Sequence, residues 1–179
     1  TVTTPDTLEY GEYELVEIKA PYGYLLNDEP IRFTVSSNTA YEIAEDETTP
    51  VITVTKEDVS VKGRIEVSKI GEQLTDIHTD EDGNIQFIYE NKPVTDAKFI
   101  VKAAEDIYSS DNQGTLIYSK DEIVSELTTF NGYARTPKLP LGKYKVYEVV
   151  AGDGFVLNKE VKEIELTYKD QYTPVVIES

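Results

Sequence analysis

The sequence predicts an all-β chain built as antiparallel β-sandwiches in tandem, and three observations carry that expectation. Short stretches alternate polar and apolar residues with the strand period of two. Gly, Pro, Asn and Asp punctuate them at regular intervals, as sandwich turns require. Residues 11–27, GEYELVEIKAPYGYLLN, recur without a gap at 142–158 as GKYKVYEVVAGDGFVLN. A repeated strand-plus-turn of this kind points to two copies of one unit.

Composition narrows the function classes. Thirteen tyrosines with frequent Val and Thr favour strands. The chain of 179 residues, 39% apolar, can bury one large core or two small ones. Without cysteine there is no disulfide, no thiolate metal site and no cysteine nucleophile. A single histidine, His78, leaves no histidine cluster. No run approaches the roughly 18 apolar residues of a membrane-spanning helix, and no signal peptide is present. Methionine is absent as well, which suggests a piece of a longer chain or a processed product. The net charge of −17, with −10 of it in residues 1–58, argues against nucleic acid and anionic membranes as partners.

In chain order, residues 1–10 are polar and turn-like. The first copy of the repeat then opens as a strand with Tyr13, Leu15 and Glu17 on one face and Glu12 and Glu14 on the other. Pro21 and Gly23 turn the chain. Residues 31–35 read as a strand, and 41–43 and 51–55 flank an acidic loop, Glu45-Asp46-Glu47. Residues 59–63 read as a linker. From Arg64 a new strand alternates, with Ile65, Val67 and Lys69 on one face. Asp80 to Asn84 form a turn before a strand at 85–89. Ile85 occupies the place where a calcium-binding EF-hand loop needs glycine. Residues 99–103 read as a strand and 108–114 as a polar loop.

The stretch 122–130 is ambiguous. Ile123, Val124 and Leu127 suit a helical turn, most naturally within 120–127, whereas Thr128-Thr129-Phe130 suits a strand. Asn131-Gly132 is a strong hairpin signal that joins it to 133–136. The second copy follows, with Tyr144, Val146, Glu148 and Val150 on one face, and 164–168 and 172–177 close the chain as a strand pair.

The repeat sets the expected domains. Thr49-Pro50-Val51 matches Thr173-Pro174-Val175, so the first unit carries seven extra residues near its acidic loop. In this register residues 1–58 form the back half of a first unit, 59–63 a linker, and 64–179 a second unit lacking its last few residues. The half unit has no front strands to cover its apolar face, so that face should lie against the second unit or another copy.

Each copy puts a glutamate on the apolar face of its strand, and Lys69 ends an apolar stripe. Buried charges of this kind need partners. A buried lysine tends to lose its proton, leaving a nucleophilic amine, and a buried carboxyl can stay protonated and donate a hydrogen bond. Together they can join the lysine to an Asn or Asp carbonyl as an isopeptide, provided water is excluded and the groups touch.

The motif at residues 11–24, GEYELVEIKAPYGY, resembles the glutamate box of Cna B-type domains of Gram-positive surface proteins. The second copy departs from it, with Gly152-Asp153 in place of Pro-Tyr. The resemblance implies prealbumin-like, Ig-like sandwiches and casts Lys69 as the isopeptide nucleophile and Glu148 as its general acid/base. It casts Glu17 as the equivalent glutamate of the first unit and Asp58 as that unit's acceptor. The second acceptor would lie just past Ser179.

The resemblance also implies a non-enzymatic stalk module of a cell-wall-attached adhesin or pilin. Its partners would be neighbouring domains of the same surface protein and a host or matrix protein or glycan, with no cofactor and no metal. Other readings stand beside it. Lys69 and Glu148 could be a plain ion pair, or Lys69 could reach out to water. The chain could instead be a protein- or carbohydrate-binding module that uses 45–47 or 104–122.

Overall fold

The computed structural model describes residues 4, 7–43, 50–110 and 114–179, and within them every regular element is a strand. Strands β1 (Gly11–Leu15) and β2 (Ile31–Val35) form an antiparallel hairpin in register from Gly11↔Val35 to Leu15↔Ile31. Tyr13 stacks on Phe33 across it, 5.6 Å between ring centres. A short pair, β3 (Glu42–Ile43) and β4 (Pro50–Val51), follows. Among the described residues up to 58, only Ala20 and Gly23 are buried, and Leu15 is 44% exposed. The described residues of this part form no core of their own. The acidic loop at 45–47 lies outside the described residues.

The rest is a two-sheet sandwich. In chain order its strands are β5 (Lys62–Ser68), β6 (Ile70–Thr79), β7 (Ile85–Pro93), β8 (Lys98–Ala103), β9 (Ile107–Tyr108), β10 (Leu116–Tyr118), β11 (Ile123–Thr128), β12 (Tyr133–Arg135), β13 (Gly142–Val150), β14 (Lys162–Leu166) and β15 (Val175–Glu178). One sheet runs β11-β8-β13-β14 and the other β12-β5-β15. All pairings are antiparallel except β5 with β15, the parallel contact of the first and last strands of the sandwich. Ile65, Val101, Leu139, Tyr144 and Leu166 meet between the sheets, each at most 1% exposed. Tyr144 satisfies its buried hydroxyl by donating to the Pro140 carbonyl at 2.7 Å.

Three expectations change. The ambiguous stretch is strand β11, not a helical turn, because it pairs with β8 and turns Leu127 into the core. Asn131 and Gly132 take the positive φ of 49° and 74° that a tight turn demands. The turn bridges Phe130 to Tyr133, but then β11 enters one sheet and β12 the other. It is a corner between layers, not the end of a ladder. Likewise β14 and β15 do not pair, since each completes a different sheet.

The most prominent addition is the ribbon β6–β7, which runs from Ile70↔Pro93 to Thr79↔Ile85 with a bulge between Leu74 and Asp76. Opposite residues share a face. One face therefore carries Ile70, Leu74, Ile77, Ile85, Phe87 and Tyr89, all 47% to 61% exposed. The sequence predicts the strand at 85–89 but not its partner, because Gln73, Thr75, Asp76 and His78 dilute the alternation.

Candidate functional site: the buried Lys69–Glu148 pair

Strand β13 brings Glu148 to the core by parity. Tyr144, Val146 and Glu148 point between the sheets, and the Glu148 side chain is 3% exposed. Lys69 stands just beyond β5, between that strand and the ribbon. Its backbone is fixed at both ends: its N–H donates to the Gly132 carbonyl at 2.8 Å, and its carbonyl accepts from Val94 N–H at 3.0 Å. Its Nζ lies 3.0 Å from Oε1 and 3.2 Å from Oε2, with a side chain 18% exposed.

The two carboxylate oxygens are not equivalent. Oε2 accepts a hydrogen bond from Lys69 and a second, at 2.9 Å, from the backbone N–H of Asn158. Oε1 is buried and, despite its close contact with the ammonium, receives no directed hydrogen bond.

The first copy repeats half of this arrangement. Glu17 Oε2 accepts from the Asn27 N–H at 2.9 Å, the same ten-residue closure as in the second copy. The sequence displayed the repeated Leu-Asn but not its role, because the bond uses backbone N–H and leaves no mark on the side chain. Asp58 is brought beside Glu17. Partial burial raises the Asp58 pKa above the ordinary aspartate range, the like charge of Glu17 raises it further, and Lys56 counters both. Among the described residues no ammonium lies within ion-pair distance of Glu17. The four predicted residues thus form two sites: Lys69 with Glu148, and Glu17 with Asp58.

Phe155 lies against Gly71, two residues beyond Lys69, where an added Cβ would fall 2.3 Å from its ring. No group of three or more His, Asp or Glu side chains suited to a metal ion occurs among the described residues.

A family profile described as "SpaA: Prealbumin-like fold domain" matches residues 1–49 and 88–179. The match includes both glutamates and leaves Lys69 outside. Among solved structures, the Bacillus anthracis TIE protein superposes with a TM-score of 0.55 at 23% identity, over 96% of this chain and 24% of that one. The group B streptococcus pilus 2b backbone protein gives a TM-score of 0.39 at 17% identity, over 82% of this chain and 53% of that one. The chain thus spans about a quarter and about half of these two proteins. No curated protein sequence matches it.

Proposed function

The chain belongs to the family of SpaA prealbumin-like fold domains, and on that premise we propose that it is a structural stalk or backbone module of a cell-wall-attached adhesin or pilus, locked by an isopeptide bond from Lys69. The module is extracellular, sits on a Gram-positive surface, and turns over no substrate. Lys69 passes a proton to Glu148, and the resulting neutral amine attacks the side-chain carbonyl carbon of an Asn on the last strand. Its C–N bond forms as the carboxamide C–N bond breaks, and the amine's proton departs with the leaving nitrogen as ammonia. If the acceptor is an Asp, water leaves instead. Glu148, once it holds the proton from Lys69, donates a hydrogen bond from its carboxyl to the carbonyl oxygen and relays the proton to the leaving group.

The observation that carries this reading is the buried contact of Lys69 with Glu148, Nζ 3.0 Å from Oε1 between the two sheets. The register of β15 on β5 supports it. Glu178 faces Ile65, so in a longer chain the fourth residue beyond Glu178 would face Lys69. The repeat assigns the counterpart of Asp58 to that same place. Residues 1–58, with Glu17 beside Asp58, repeat the glutamate-and-acceptor half of this arrangement.

Intact mass is the test. A folded chain extended several residues past Ser179 should weigh less than its sequence by one ammonia or one water. Lys69→Ala and Glu148→Ala should each restore the full mass. An extended, folded chain of unreduced mass sinks the proposal.

A second reading is favoured by the apolar face of the β6–β7 ribbon. There the chain would be the protein- or glycan-binding module of an adhesin. Ile77→Ser with Phe87→Ser would then abolish attachment to a matrix-coated surface, whereas a stalk would lose nothing.

A further inference from the structure

The two copies of the repeat fold alike but are covered differently. Each makes the same turn, with Tyr24 N–H donating to the Pro21 carbonyl at 3.1 Å and Phe155 N–H to the Gly152 carbonyl at 3.0 Å. Each glutamate holds its asparagine N–H. In the first copy the next two N–H groups are then taken up. Leu25 donates to the Val59 carbonyl at 2.8 Å, and Leu26 donates to the Gln171 carbonyl at 2.9 Å. Val61 N–H returns a bond to the Gly23 carbonyl, and the Gln171 side chain accepts from Ala20 N–H at 3.0 Å. Tyr22 rests on Tyr168 with ring centres 4.7 Å apart. Leu25 and Leu26 are half-buried as a result.

In the second copy the counterparts are open. Val156 is 91% exposed and Leu157 is 36% exposed. Neither N–H has a hydrogen-bond partner among the described residues. Two adjacent free N–H groups with apolar side chains, on a loop whose twin is docked, form an unused half of the same joint.

We infer that residues 151–157 are the socket for a further unit of this fold, following on the same polypeptide. The observed joint argues for that occupant over a separate molecule. There the covering segment, 59–61, directly continues the unit that it covers, and the next unit's loop at 168–172 closes over it. The continuation of β15 would first pass Lys69 and then lie along Val156, while the incoming loop would accept from Leu157. Asp153 stands where Tyr22 stands in the first copy, so the incoming loop should offer a cation or a hydrogen-bond donor there, not a tyrosine. This inference rests on the stalk reading and extends it to how successive units are held in line.

Hydrogen exchange tests it on the longer polypeptide carrying the next folded unit, compared with residues 1–179. The Leu25 and Leu26 amides should be protected in both. The Val156 and Leu157 amides should exchange freely in 1–179 and slow by on the order of 100-fold or more in the longer chain. Leu157→Asp should remove that protection. Three results would overturn the socket: free exchange at both positions beside a folded following unit, protection of Val156 alone, or a polypeptide in which no β unit follows. The ammonia or water loss is read separately by mass, so the socket and the isopeptide can fail independently.

Discussion

A glutamate side chain only 3% exposed persists at position 148 because Lys69 and the Asn158 N–H both reach it. Removing either partner has unequal consequences. Lys69→Ala strands a buried carboxylate and should cost toward the low end of about 3–5 kcal/mol, since water can follow the shortened side chain. Glu148→Ala leaves a lysine that can swing toward solvent and one unpaired backbone N–H, a loss of about 1–3 kcal/mol. Urea unfolding of residues 1–179 measures both, and Lys69→Ala should be the more damaging. Parity made this pair legible in the sequence, because a charged residue on an apolar stripe is conspicuous. The Asn158 bond was not legible, since any residue there could supply the N–H.

Among the elements, the corner at Asn131-Gly132 ties the two sheets together next to the site. Gly132 has a φ of 74°, and an added Cβ would come within 2.8 Å of the Lys69 carbonyl oxygen and of Pro93. Gly132→Ala combines backbone strain with a clash. It should lower stability by about 1–3 kcal/mol and loosen the hydrogen bond that positions Lys69, read as faster exchange of the Lys69 amide. The turn was legible from its Asn-Gly pair. Its use as a corner was not, because sheet membership is decided by which neighbours bury Leu127 and Ala134, a long-range matter. For the same reason β14 and β15 read as a hairpin in sequence and part company in the fold. The helix–strand ambiguity at 122–130 is likewise settled by pairing, with β8 supplying the ladder.

For the whole molecule, the first part is held on the second by residues 59–61 and by the loop that carries Gln171. Asp170 shapes that loop by accepting from the Tyr172 and Thr173 N–H groups, and these bonds hold its carboxyl below the ordinary aspartate range. A folded pKa below the unfolded one stabilises above the unfolded value, about 4, and that stability is lost as pH falls through the lowered value. Acid should therefore loosen the 170–173 loop and, with it, the Gln171 contacts to Ala20 and Leu26. Exchange at the Leu26 amide should accelerate below about pH 4, and Asp170→Asn should make it fast at neutral pH too.

Pulling a single molecule by its ends tests most directly whether the second unit is a module that resists extension. In a chain extended past Ser179, a bond from Lys69 to the strand after β15 shields everything between them from the force. The trace should then lack the release of some 110 residues from the second unit, roughly 380 Å at about 3.3–3.6 Å per residue. Lys69→Ala should restore that step. A step of this length in the unmutated, extended chain would contradict the account.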